Sequence, residues 1–482
     1  MTSGSLPASD TRAPADAVWD WAVGVTVVLT AVRLLIVRLA PLELSAPEAH
    51  GWLGSQHLAL GYAAGPPLTA WLIGLTTLAG SAEPFVRLGA PLLQGAAGLF
   101  VFGAARRLCD ARTALFALLV YELIPGVQIG GLAMLPIGVM TACLAAALFA
   151  YVFVSGPAER ARIGAAAGFG LALGLAVLAQ YAALLALVGL AIHLAVSKAA
   201  RDAWTVRLAL LAAAVFALVV GPSLAWTFIH GYGVFAEAGE RSDAAFAIYL
   251  ALFGPLALGV ACVGAIWMAA RRALTGAEGL LVVWAAPALA LPPILTTLGA
   301  ASAGWTAALF PPAAILVAAL MLGWKRPRLL AALLTLHGLA AAAVLTAALK
   351  PDLAVKAGLA DVLAPVRAGR AASELVVDQA RAAQFSGPLG AVVVDEPDLR
   401  ALVAYNGRDY FGKGGPAVTA NARTGARVLV VHRDGSGSLQ ALRARFANAG
   451  ETDIGEVWLD PRHTLRIESF VGVAMGAAAP RR

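Results

Sequence analysis

Between positions 41 and 87 the chain gathers residue types that proton and phosphate chemistry needs. Glu48 is a carboxylate that can act as a general base or a metal ligand. His50 and His57 follow it about two turns apart, a spacing that puts both on one face of a helix. From that face they can bind phosphate, shuttle a proton or join Glu48 at a divalent metal ion. Trp52, Tyr62 and Trp71 offer ring faces to a sugar, and Arg87 is a cation placed to meet a lipid phosphate. Further on, Glu122 stands inside an apolar run, where a charge is costly and a functional role is the default expectation. Each residue also has a plainer reading. Ser45-Ala-Pro47-Glu48 reads as a helix start, with proline and an acid in the first turn. The histidines can face solvent, the aromatics can form an interfacial belt, Arg87 can snorkel as an anchor, and Glu122 can sit exposed at an interface. Glu237, Glu240, Arg241 and Asp243 either add to a site or line a solvated loop.

The elements that must position these residues are membrane helices. Of 482 residues, 60% are hydrophobic and 13% charged, against about 25% charged in a soluble domain. From Trp19 to Leu349 charges fall almost wholly in short clusters between apolar runs; from Lys350 onward the balance is that of a water-facing domain. The net charge of +7 matches basic cytoplasmic loops and calls for no nucleic acid. Cys109, Cys143 and Cys262 lie in or beside apolar segments, which argues against a disulfide framework or a zinc site. Residues 1–17 read as a polar cytoplasmic tail before an uncleaved first helix.

Five basic clusters fix the topology: Arg106/Arg107/Arg112, Arg160/Arg162, Lys198/Arg201/Arg207, Arg271/Arg272 and Lys325/Arg326/Arg328. With all five cytoplasmic, the intervals between them hold helices in pairs. One pair breaks near Gly130-Gly131, one turns at Gln180-Tyr181, one flanks the loop 230–243 and one flanks 299–304. A last helix, 329–349, carries the chain outward. Helix 1 (about 18–40) also leads outward. Of the apolar stretches 66–80 and 88–105, only one can then cross, and 66–80 is the short one that opens with Pro66-Pro67. It is expected to be interfacial or re-entrant. The prediction is a mostly α, polytopic protein of about eleven transmembrane helices. It has an external loop at 41–87 within the membrane domain 18–349, and an external α/β domain at 350–482. In that domain 361–384 and 397–405 read as helices, 438–449 as amphipathic, and 390–395 and 427–432 as strands. A hairpin turns at Asp460-Pro461-Arg462. The run Asp434-Gly-Ser-Gly lacks a dinucleotide fingerprint and reads as a loop.

The loop sequence Leu42-Glu-Leu-Ser-Ala-Pro-Glu48-Ala-His50-Gly-Trp52 through Tyr62-Ala-Ala-Gly-Pro66-Pro67 resembles the first periplasmic loop of the GT-C membrane glycosyltransferases. The nearest likeness is to the protein O-mannosyltransferase and lipid A aminoarabinose transferase superfamily (family 39-like). Further similar pieces follow in the same order: Val86-Arg87-Leu88, Pro125-Gly126-Val127, Gln180-Tyr181, Trp226 before His230-Gly231, and Gly304-Trp305 before Pro311-Pro312. The resemblance covers most of the chain. It implies a GT-C fold in a bacterial-type inner membrane, with the loop and tail domain periplasmic. It implies transfer, with inversion, of a sugar from a polyprenyl-phosphate donor to a lipid, glycan or protein acceptor. Glu48 would be the base, Arg87 with His50 or His57 would sit near the phosphate, and Tyr62, Trp52 and Glu122 would contact substrate. A divalent metal ion is the one cofactor this chemistry admits. The sequence departs from the family pattern at five polar positions: Pro47 for Asp, Gly65 for Lys, Met134 for Asp, Gln180 for Lys and Gly304 for Asn. These losses motivate an alternative, a catalytically degenerate member acting as a partner or lipid-glycan binding subunit. No internal repeat supports a transporter. The sequence leaves the oligomeric state open.

Overall fold

A computed structural model describes residues 15–63, 65–155, 158–231, 250–271, 276–298, 303–412, 415–434, 437–460 and 463–475. Glu237, Glu240, Arg241 and Asp243, Arg272, Gly435-Ser436 and Pro461-Arg462 lie outside the described residues. Among the described residues, eight helices are long and apolar enough to cross a membrane, and a ninth span arises if the bent pair Ala111–Leu123 and Pro125–Leu132 counts as one. Leu68–Thr77, Tyr181–Val196 and Pro255–Ala270 are shorter apolar helices, so the expected count of about eleven is met only if two of these three cross as well. The chain is a multi-pass membrane protein. It folds as two compact units. One holds residues up to Leu34, Pro91–Gly131 and Ile137–Ala341; the other holds Leu35–Ala90, Leu132–Pro136 and the chain from Ala342 onward.

The first unit is helical. Glu159–Ala179 packs on Val206–Ile229, Ala111–Leu123 on Phe310–Gly323, and Leu185–Val196 on Ala277–Thr297. The turn expected near Gly130-Gly131 lies at 133–135, between the helices Pro125–Leu132 and Pro136–Phe153. The first of that pair carries an additional bend of 63° at Ile124-Pro125. Proline has no N–H to give to the carbonyl four residues back. The Tyr121 carbonyl instead accepts the Ile124 N–H at 3.2 Å, and the helix closes there.

The second unit joins the loop to the tail domain. Its interfacial segment is the helix Leu68–Thr77, only 10 residues, or about 15 Å of rise. A hydrocarbon core is about 30 Å thick, so this helix cannot span it. The tail carries a six-stranded sheet: β1 (Ala391–Val394), β2 (Ala417–Thr419), β3 (Arg427–Arg433), β4 (Phe446–Ala447), β5 (Asp453–Asp460) and β6 (His463–Ala474). Its order is β2-β1-β3-β6-β4, with β5 also paired to β6; β1 runs parallel to β2 and β3, and β6 is antiparallel. The alternation of a strand explains the two cores. Val392 and Val394 face the helices Gly369–Phe385 and Pro397–Asn406, while Ala391 and Val393 pack with Leu442, Phe446 and Phe470 on the other side. The expected amphipathic stretch 438–449 is a short helix, Leu439–Arg443, followed by β4. The expected helix 361–384 is broken: a short helix Ala360–Leu363 and a 3-10 turn Ala364–Val366 precede the long helix Gly369–Phe385.

Candidate functional site

The loop is organised around one buried ion pair. Ser45 starts the helix Ala46–Ser55, and Glu48 in its first turn reaches back to accept the Ser45 N–H at 3.0 Å and hydroxyl at 2.9 Å. The helix start is the one the sequence suggested; the bond from Glu48 back to Ser45 is the structure's addition. Glu48 does more than cap. Arg87 Nε donates to its Oε1 at 2.7 Å and Arg87 Nη2 to its Oε2 at 2.9 Å, and the Met134 N–H adds a bond to Oε1 at 3.2 Å. Arg87 also donates to the Leu42 and Glu43 carbonyls at 3.0 and 2.7 Å. Glu48 is 0% exposed and Arg87 4%. Burial by itself would raise the Glu48 carboxyl. The Arg87 charge, the Arg87 hydrogen bonds and the Ser45 donors outweigh it and hold the group below the ordinary carboxylate value.

This geometry changes the part Glu48 can play. A base needs an oxygen facing its substrate. Both oxygens here are taken by five donors, and no surface reaches solvent, so in this conformation the Glu48–Arg87 pair frames the loop. The other two carboxylates of the segment 41–87 are engaged as well. Glu43 accepts the Arg370 N–H at 2.8 Å, and Glu83 lies 3.3 Å from Arg370 Nη2.

His50 is different. Its Nε2 lies 2.9 Å from Asp398 Oδ1, and both side chains keep contact with water at 22% and 60% exposure. The hydrogen bond from His50 is the main reason the Asp398 carboxyl is held below its ordinary value. His57 does not share a helix face with His50, as the spacing suggested, because the helix stops at Ser55 and leaves His57 exposed beyond it. Trp52 is 7% exposed and meets the Tyr405 ring edge-on at 5.0 Å. The Tyr62 hydroxyl donates to the Gly54 carbonyl at 2.9 Å and accepts the Ala59 N–H at 3.1 Å, and Trp71 Nε1 donates to the Ala59 carbonyl at 2.9 Å. All three aromatics therefore serve the packing of the loop in this structure. Gly65 has φ 134°, a conformation that a lysine side chain would strain. Among the described residues no three His, Cys, Asp or Glu side chains gather to hold a metal ion. Glu48 has no oxygen to spare, so these residues do not fit a divalent cation.

In the first unit Glu122 is buried at 0% exposure rather than exposed at an interface. Arg33 Nη1 stands 2.7 Å from its Oε2, and Arg33 Nη2 donates to the Glu122 carbonyl at 3.1 Å. Gln128 also donates to that carbonyl. The bend at Pro125 frees this carbonyl from helical pairing, and Arg33 and Gln128 take it up. Arg33 was missed in the sequence, although an arginine within an apolar helix is itself the signal. Asp398 and Tyr405 gave no signal, since only the tertiary fold brings them to His50 and Trp52.

The model of the dolichyl-phosphate-mannose-protein mannosyltransferase family matches residues 64–226. A lipid A galacturonosyltransferase of Rhizobium johnstonii is 30% identical over 403 residues, which are 80% of this chain and 83% of that protein. Among solved structures, ArnT from Cupriavidus metallidurans bound to undecaprenyl phosphate superposes with TM-score 0.60 at 15% identity. The match covers 92% of this chain and 98% of that one. The oligosaccharyltransferase AglB of Archaeoglobus fulgidus, in complex with an inhibitory peptide and a dolichol-phosphate, gives TM-score 0.53 at 14% identity over 95% of this chain and 74% of that one. The two structures agree in fold, and the sequence likeness to the galacturonosyltransferase carries the assignment further: the chain belongs to the GT-C glycosyltransferase superfamily.

Proposed function

We propose that the protein transfers a sugar from a polyprenyl-phosphate donor to a lipid acceptor at the outer, periplasmic face of the inner membrane, with the tail domain on that face. In the reaction an acceptor oxygen bonds to the anomeric carbon as the bond from that carbon to the phosphate oxygen breaks. Polyprenyl phosphate leaves with the electron pair, and the acceptor proton passes to a base. Attack opposite the leaving group inverts the anomeric centre.

The observation that carries this reading is the folded loop. Its frame is the Glu48–Arg87 pair, and His50 with Asp398 is the solvent-reachable acid–base couple that the frame presents. In this reading His50 takes the acceptor proton, Asp398 orients the imidazole, and Glu48 and Arg87 are positioning residues. The lipid acceptor is favoured by the likeness to a lipid A galacturonosyltransferase. The test uses purified full-length protein in liposomes, with a panel of polyprenyl-phosphate sugars and lipid A as acceptor. Wild type should transfer at least one sugar, and His50→Ala should lower kcat about 10²–10⁴-fold. Undiminished transfer by His50→Ala would sink its role as base.

A second reading has its own support. All three carboxylates of the loop are paired, and the family Asp is Pro47. A partner or lipid-glycan binding subunit would look the same. Binding of a polyprenyl-phosphate sugar without turnover across the whole panel would favour it.

A further inference from the structure

The second unit contains a cavity of about 590 Å³ lined by Lys350, Lys356 and Arg367 together with Glu43, Asp352 and Leu353. Its acids are already engaged: Glu43 accepts the Arg370 N–H at 2.8 Å, and Asp352 lies 3.3 Å from Arg367. Lys350 and Lys356 have no ion-pair partner among the described residues. The cavity thus offers two uncommitted ammonium groups beside a guanidinium. Its lining follows directly on the last candidate span, Pro327–Leu349. The chain there leaves Leu353 54%, Leu359 44% and Val362 70% exposed. Exposed apolar side chains next to lysines, just beyond a membrane helix, are the pattern of a segment lying in the headgroup layer.

We infer that this cavity docks the phosphate of a membrane lipid, the lysines binding the headgroup while the exposed leucines and valine meet its acyl chains. The inference rests on the transfer reading in one respect only: there the docked lipid is the acceptor. Charge-assisted bonds from two lysines give the selectivity for phosphate, and the exposed apolar side chains of the same segment give the preference for a lipid over a soluble phosphate.

The experiment titrates phosphatidic acid, and diacylglycerol of the same chains, into detergent-solubilised full-length protein and reads retained lipid by native mass spectrometry. Wild type should hold phosphatidic acid at least about tenfold more tightly than diacylglycerol. The double variant Lys350→Gln/Lys356→Gln should lose that difference, and Lys350→Arg/Lys356→Arg should keep it. Both lysines are exposed, so the variants should fold as wild type. Equal retention of the two lipids by wild type, or unchanged selectivity in the glutamine variant, overturns the inference. The same proteins are assayed for sugar transfer, where the glutamine variant should raise the KM for a phosphorylated lipid acceptor and leave kcat unaltered. Charge-dependent lipid retention without transfer by wild type leaves the docking site standing and removes the transfer reading. Transfer with charge-independent retention does the reverse.

Discussion

Among the described residues the molecule buries two arginine–glutamate pairs, one in each compact unit, and they are built differently. Glu48 receives five hydrogen bonds, from Arg87, Ser45 and the Met134 backbone. Glu122 has its carboxylate 2.7 Å from Arg33 Nη1, its one charged partner among the described residues. Arg33 spends its aligned donors on a carbonyl and on Gln128. A buried charge is tolerated when its lone pairs are satisfied. The first pair is therefore a rivet for the loop. The second is chiefly a means of capping a helix broken by proline, with the carboxylate alongside.

Breaking the rivet should produce the largest effect. Glu48→Ala or Arg87→Ala leaves an uncompensated buried charge, which costs roughly 3–5 kcal/mol. Thermal melting in detergent followed by tryptophan fluorescence would show it, and a shift no larger than that of a surface variant would refute the comparison. Glu122→Gln should do less. It leaves the buried Arg33 without its carboxylate but keeps the backbone carbonyl that Arg33 and Gln128 use, so the loss should fall at or below the low end of that range, about 3 kcal/mol. Gly98 and Gly131 leave room for that pair: a Cβ at Gly98 would clash with Glu122 Oε1, and one at Gly131 would meet Arg33 Cδ at 2.9 Å. Gly98 does not stand out in the sequence and Gly131 reads there only as a helix break, because the demand on each comes from a side chain on another helix.

Acid should separate the two units further. The Glu48 carboxyl is held below its ordinary value, so the unfolded chain binds more protons than the folded one in this range. Its contribution is complete above the unfolded value, near pH 4.3, and is lost as pH falls through the depressed folded value. Asp398 adds to stability in the same direction. Melting temperatures between pH 5 and 3 should fall in wild type and fall less steeply in Glu48→Gln. Equal slopes would mean that the rivet carries no acid sensitivity.

The spans were legible because periodic apolar runs and basic clusters are local signals, and their parity demoted 66–80 to an interfacial helix. The place of Glu48 in the first turn of a helix was legible for the same reason. Its pairing with Arg87 was not. The two residues lie 39 apart in sequence, and nothing short of the folded loop brings them together. The resemblance made Glu48 look like a free base, whereas the partners that occupy it, a serine three residues back and a backbone N–H at Met134, carry no signature of that duty. Likewise the spacing of His50 and His57 promised a shared face. The helix that would have supplied it ends at Ser55, and the pairing that matters for His50 comes from Asp398 in the tail domain.

The smallest expected change in stability belongs to that last contact, and it is the one that reads out chemistry. His50–Asp398 is open to water, so the pair should contribute only about 0–1 kcal/mol. Asp398→Asn should melt almost as wild type does. If Asp398 orients the imidazole, the variant should nevertheless lose about tenfold or more in kcat, because a base held at the wrong angle meets the acceptor proton less often. KM for donor and acceptor should stay where it was, since neither carboxylate nor imidazole is asked to bind the lipid phosphate. Asp398→Glu, which restores the carboxylate at a changed reach, should recover part of the loss. A fall in kcat accompanied by an equal fall in melting temperature would make the contact structural, like the Glu48–Arg87 rivet, and would erase the distinction between a frame and the group it presents.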